Sequence, residues 1–103
     1  MTQSRFELLV GLHVTDQDVY ATYRKMMMPI LEKYKGSFTY DFAVDQNFTS
    51  GAEHPINRLF VITFPDEQGR SQFFNDPDYK QVREKWFNPA VAGATIISSW
   101  ITT

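Results

Sequence analysis

A chain of 103 residues, 43% hydrophobic and 16% aromatic, supplies one core and leaves no room for a second domain, so residues 1–103 read as a single unit. Its formal net charge of -2 and pI near 5.6 come from acids and bases scattered along the chain, and without a run of Lys and Arg to follow a phosphate backbone no nucleic-acid partner is expected. The absence of cysteine excludes disulfides, thiolate metal sites and a cysteine nucleophile.

Met1 to Arg5 is polar and leads into a strand rather than a signal segment, and every apolar run falls far short of the roughly 20 residues of a membrane helix. A soluble, cytoplasmic protein without membrane contact is expected, and Asn47-Phe48-Thr49 is then a chance sequon. Strand one covers Arg5 to Val14. Asp16 to Lys35 follows with apolar residues at Val19, Tyr23, Met26, Ile30 and Tyr34, a stripe at helical spacing. Thr15 or Asp16 supplies the cap, and Gly36 is expected to be the left-handed residue that ends the helix. Pro29 removes a backbone donor, at a cost of about 3 kcal/mol unless the helix bends, so a kink is predicted there. Met26-Met27-Met28 reads as core filling.

Strand two runs from Ser37 to Asn47. Asn47 to Ile56, polar and aperiodic with Gly51 and His54-Pro55, is a long hairpin loop, with His54 in solvent. Strand three covers Asn57 to Phe64. The segment Asp66 to Phe87 reads as a helix broken at Asn75-Asp76-Pro77, where a cap followed by proline restarts it, with Tyr79, Val82 and Trp86 along one face. Asn88-Pro89 stops it before strand four, Gly93 to Ile101. The order β-α-β-β-α-β is that of an α+β, ferredoxin-like sandwich with a four-stranded antiparallel sheet.

Strand alternation sorts the side chains into two faces. One carries Phe6, Leu8, Val10 and Leu12, then Phe38, Tyr40, Phe42 and Val44, then Phe60, Ile62 and Phe64, and belongs under the helices. The other carries Glu7, Leu9, Gly11 and His13, then Thr39, Asp41, Ala43 and Asp45, then Leu59, Val61 and Thr63, with Thr95, Ile97, Ser99 and Ile101. Its apolar centre, Leu9, Ala43, Val61 and Ile97, calls for a second copy packed sheet to sheet about a twofold axis, a homodimer.

Arg58-Leu-Phe-Val-Ile-Thr-Phe-Pro65, then Phe74-Asn-Asp-Pro-Asp-Tyr79, a short helix and a closing strand resemble the small bacterial proteins of domain of unknown function 1330, within the dimeric α/β barrel superfamily. Pro29-Ile-Leu-Glu-Lys-Tyr34 with Gly36 and Phe38 is similar to that family's helix end and second strand. The resemblance covers nearly the whole chain and implies a dimeric α/β barrel. Where the family tends to carry Arg-Gly-Gly, an acid in strand three and a basic residue near the last helix, this chain has Asp41-Phe42-Ala43, Thr63 and Trp86. Relatives in the superfamily include cofactor-independent monooxygenases, isomerases and decarboxylases, which implies proton transfer on an aromatic or polyketide-like substrate as one activity.

The residues themselves offer modest chemistry. His13, at the end of strand one, is the candidate catalytic base if Asp41 or Thr63 reaches it, and otherwise an interfacial histidine with a hydrogen bond. Arg58 reads as a surface ion pair or as the anion-binding residue of a pocket mouth. Tyr23, Tyr40, Trp86 and Trp100 read as core or as aromatic walls of a ligand cleft between sheet and helices. No metal ligand spacing, phosphate loop or Ser-His-Asp order is present, so neither a metal nor a cofactor is expected. The expected function is small-molecule binding by a homodimer, with the enzyme and a non-catalytic assembly or stress-related module as alternatives.

Overall fold

The computed structural model describes residues 4–103; the first three residues of the polar segment expected to lead into strand one lie outside them. The elements are β1 (Arg5–Val14), α1 (Gln17–Lys33), β2 (Ser37–Ala43), β3 (Arg58–Phe64), α2 (Glu67–Asn75), α3 (Pro77–Val82), a π-helical turn (Arg83–Phe87) and β4 (Val91–Thr102). The strands form one antiparallel sheet in the order β2-β3-β1-β4. This is the ferredoxin-like α+β fold, with its second helix split by proline.

Side-chain caps set the helix starts. Asp16 accepts from the Val19 amide at 3.0 Å, Asp66 from that of Gly69 at 2.7 Å, and Asp76 from those of Asp78 at 2.8 Å and Tyr79 at 3.2 Å, with Pro77 at the first position of α3. The exit from α1 differs from expectation. The left-handed residue is Lys35 (φ 60°), and the Gly36 amide closes the turn on the Leu31 carbonyl at 2.9 Å, a Schellman arrangement. Gly36 is required for space instead, since a Cβ there would lie 2.4 Å from Leu31 Cδ1. α1 remains one helix through Pro29.

The buried stripe of α1 is Tyr20, Tyr23, Met27 and Leu31, one residue out of step with the expected stripe at all but Tyr23. Met26 is 47% exposed. These residues meet Leu8, Leu12, Phe60, Ile62 and Phe64 from the sheet and Phe73 and Tyr79 from α2 and α3. Phe73 is the hub, its ring centre 4.3 Å from Tyr79 and 5.7 Å from Phe64.

Two bulges correct the predicted faces. In β2, Phe38 pairs with Ile62 and Tyr40 with Val61, so Thr39 is an extra residue and alternation inverts beyond it. Tyr40 and Phe42 therefore stand on the face away from the helices, 57% and 51% exposed, and Asp41 turns under the helices opposite Phe60. In β4, Leu9 pairs with Ser98 and Val10 with Ile96, leaving Ile97 extra. Trp100 thus joins Glu7 on the open face, and Ser99 and Ile101 pair with Leu8 and Phe6 on the helical side.

The open face also differs from the sheet surface expected. Val61 is buried, Leu9 is half-buried, and exposed apolar surface sits on the outer strands, with Ile97 at 48% and Trp100 at 37%. Residues 44–57 fold back over one end of that face. Ile56 packs on Gly11 and His54 on Gly93, where added Cβ atoms would lie 2.7 Å and 2.4 Å from these side chains. His54 is accordingly not free in solvent: its Nδ1 donates to the Pro55 carbonyl and its Nε2 meets Thr95 Oγ1, both at 2.8 Å. Asn57 pins the loop exit, exchanging two 2.8 Å hydrogen bonds with the Val14 backbone.

Candidate functional site

A cavity of about 410 Å³ lies between the helical face of the sheet and the helices. Leu8, Val10 and Leu12 of β1 form its floor with Phe60 and Ile62 of β3, and Tyr20, Tyr23 and Met27 of α1 form one wall. Phe73, Phe74, Tyr79 and Phe87 form the other. It reaches Ala94, Thr95 and Ile96 of β4, and since Ala94, Ile96 and Arg83 are exposed, the cavity opens there. The π turn shapes that wall. Its wider ring closes from the Asn88 amide to the Arg83 carbonyl at 2.9 Å, which places Phe87, 5.0 Å from the Tyr23 ring, where simple helical spacing from Val82 predicts Trp86.

The polar atoms of the cavity are tyrosine hydroxyls and guanidinium groups. The hydroxyls of Tyr23 and Tyr79 are 2.8 Å apart, and Arg24 Nε donates to the Tyr20 hydroxyl at 2.8 Å. Burial pushes all three phenol pKa values up, that of Tyr23 furthest, with the Arg24 charge opposing the rise at Tyr20. The phenols are therefore hydrogen-bond donors at neutral pH. Arg24 and Arg58 both clamp Asp41 through paired contacts, at 3.2 Å and 2.8 Å respectively, and the Arg24 guanidinium stacks 3.7 Å from the Phe38 ring centre. Burial raises the Asp41 pKa, but the Arg58 hydrogen bonds and both positive charges outweigh it and leave it below the usual carboxylate range.

Of the predicted ligand residues only Tyr23 lines the cavity. Arg58 is held by Asp41 at its edge, its guanidinium 5.2 Å from the Tyr20 ring. Tyr40 and Trp100 are on the opposite face, and Trp86 packs beside the core with Lys85 over its ring. His13, opposite Gly93 on β1, is separated from Asp41 by the sheet and from Thr63, which pairs with Glu7 six residues away. Tyr20, Arg24, Arg70, Arg83 and Phe87 are lining residues that sequence reasoning missed. Periodicity held the signal for two of them, since Arg24 is four residues from Tyr20 and Arg70 three from Phe73.

The open face holds a second polar cluster. Glu7, only 5% exposed, accepts from Thr63 Oγ1 at 2.9 Å and from Trp100 Nε1 at 3.2 Å, and Thr63 in turn meets the Thr39 hydroxyl. Among the described residues no group of three or more His, Asp or Glu is placed to hold a metal ion, and no helix is long and apolar enough to cross a membrane.

Solved structures share this fold. A protein of unknown function from Rhodopseudomonas palustris matches 98% of this chain and 82% of its own at 14% identity, with a TM-score of 0.73. A dabb family protein with a ferredoxin-like fold from Mesorhizobium loti matches 98% and 97% at 13% identity and a TM-score of 0.57. SnoaB, a cofactor-independent oxygenase from Streptomyces nogalater, matches 97% and 90% at 9% identity and a TM-score of 0.53. At these identities the likeness concerns the fold. No curated protein matches the chain in sequence. Residues 8–99, most of the chain and every residue that lines the cavity, match one sequence family, and the chain belongs to it: Domain of unknown function (DUF1330).

Proposed function

We propose that this protein is a homodimeric, one-domain binder of small apolar or aromatic molecules, one per subunit, held between sheet and helices. The observation that carries the reading is the cavity of about 410 Å³, walled by aromatic, aliphatic and methionine side chains with a few phenol and guanidinium tips. Ligand sites typically measure ~300–1,000 Å³ with that mixture of surfaces. Of Tyr23, Tyr40 and Trp86, which would together fill the cleft of a purely structural module, Tyr23 lines the cavity and Tyr40 and Trp86 stand outside it. The exposed Tyr40, Phe42, Ile97 and Trp100 support a second copy over the open face, as does the likeness to the dabb family protein from Mesorhizobium loti.

The cofactor-independent oxygenase among the solved relatives motivates an enzymatic alternative with His13 as the base. His13 lies across the sheet from the cavity, and the cavity phenols hold their protons, which favours binding over proton abstraction. Titration with indole followed by amide NMR tests the reading. Shifts at Tyr23, Phe73 and Tyr79 are expected; saturating indole without them overturns it. His13→Ala, with unchanged turnover of any substrate found, removes the catalytic alternative.

A further inference from the structure

The cavity's unspent hydrogen-bonding capacity is strongly biased. Its lining includes three arginines, Arg24, Arg70 and Arg83, and no Asp or Glu. Arg24 and Arg58 share the single carboxylate of Asp41, so that corner retains net positive charge. Arg70 spends one Nη on Glu67, a neighbour on the same helix whose side chain is 65% exposed, and such a surface pair neutralises little. The buried Nε of Arg70 has no hydrogen-bond acceptor among the described residues. The Arg70 side chain is 33% exposed, but its Nε is enclosed, and a buried donor normally has a partner.

The hydroxyls point the same way. The Tyr20 oxygen accepts from Arg24 and its own proton remains uncommitted. Tyr23 and Tyr79 use one proton between them and leave the other free. One guanidinium N–H and two phenolic O–H groups therefore wait for oxygen acceptors inside an apolar enclosure of positive potential. A cation would be repelled there, and a neutral hydrocarbon would leave the donors unmatched.

Resting on the binding reading above, we infer that the ligand is an organic anion with an apolar or aromatic body whose carboxylate accepts from Arg70. The phenols supply further donors, and Arg83, exposed at the β4 opening with its guanidinium 5.5 Å from the Phe87 ring, draws the anion in.

Calorimetric titration with 2-naphthoate and its neutral isostere 2-naphthamide separates this inference from the reading beneath it. The naphthoate is expected to bind at least about tenfold more tightly, the scale of a charge-assisted hydrogen bond, and to weaken as salt is raised. Arg70→Gln is expected to bring the two within about twofold, with the naphthoate losing far more affinity than the naphthamide. Arg83→Gln, at an exposed position that folding tolerates, is expected to reduce the preference by a smaller factor. Equal binding of both compounds to the unsubstituted protein overturns the anion inference and leaves the cavity reading standing. Absence of binding by either overturns the cavity reading and this inference with it. A full preference surviving in Arg70→Gln overturns the assignment of the carboxylate to Arg70.

Discussion

The two faces of the sheet divide polar and apolar matter in opposite ways. Under the helices, aromatic side chains pack around Phe73 and Tyr79, polar groups stand around an unfilled volume, and the donors they present exceed the acceptors available. On the open face the polar groups satisfy one another at Glu7, Thr63, Thr39 and Trp100, and the apolar side chains are left in solvent at the outer strands. The unmatched polar groups thus lie on the helical side, which also leaves Ile96 and Ile101 exposed at its β4 edge, and what the open side leaves unmatched is apolar. The first suits a small polar-headed molecule, the second a protein surface.

The contrast is sharpest for two phenylalanines. Phe73→Ala, at a site with no exposed surface, is expected to destabilise the fold by about 3–5 kcal/mol in denaturant titration. Phe42→Ala on the open face is expected to cost the isolated subunit no more than about 0.5 kcal/mol. Equal losses at both sites would erase the distinction between the faces. Next in size, Ile97→Asp would bury an unpaired carboxylate in the proposed sheet-to-sheet dimer, so sedimentation velocity is expected to find that association weakened by about a hundredfold or more. An unchanged dimer would move the interface off this face.

Within the open face, Thr63→Val removes the donor to Glu7 Oε2 and is expected to cost about 1–3 kcal/mol. The same change in a Glu7→Leu background should cost less, and a double-mutant cycle reads the difference. The smallest effect is acid sensitivity. Asp76, hydrogen-bonded at 2.5 Å by the Tyr34 hydroxyl and by two α3 amides, has its pKa lowered, as does Asp41 through its arginines. A carboxylate lowered on folding adds stability above its unfolded value of about 3.9 and loses it as pH falls through the folded value. Melting temperature should therefore drop below about pH 4, and Asp76→Asn, which keeps a capping oxygen, should flatten that drop.

The order of elements along the chain, the helix cap at Asp16 and the Pro77 restart were legible because turn residues and periodic apolar positions encode them locally. The site was less so. Thr39 and Ile97 are ordinary strand formers, and nothing in their type announces an unpaired position, yet each inverts every side chain beyond it. That is why Tyr40 was expected beneath the helices and Asp41 on the open surface. The π turn exchanged Trp86 for Phe87 by the same kind of one-residue offset, now along a helix. Arg70 went unremarked because a charged residue on a helix is ordinarily solvated, and only packing reveals that its Nε is enclosed.

The Arg83–Phe87 turn absorbs one residue more than an α-helix would hold without displacing the wall that follows it. Excising Glu84 would return the backbone to ordinary α pitch and make Phe87 the fourth residue after Val82, the place the wider turn already gives it, so the benzyl wall would keep its register. The surplus residue is thus taken up within one turn, with the sheet and α1 left untouched.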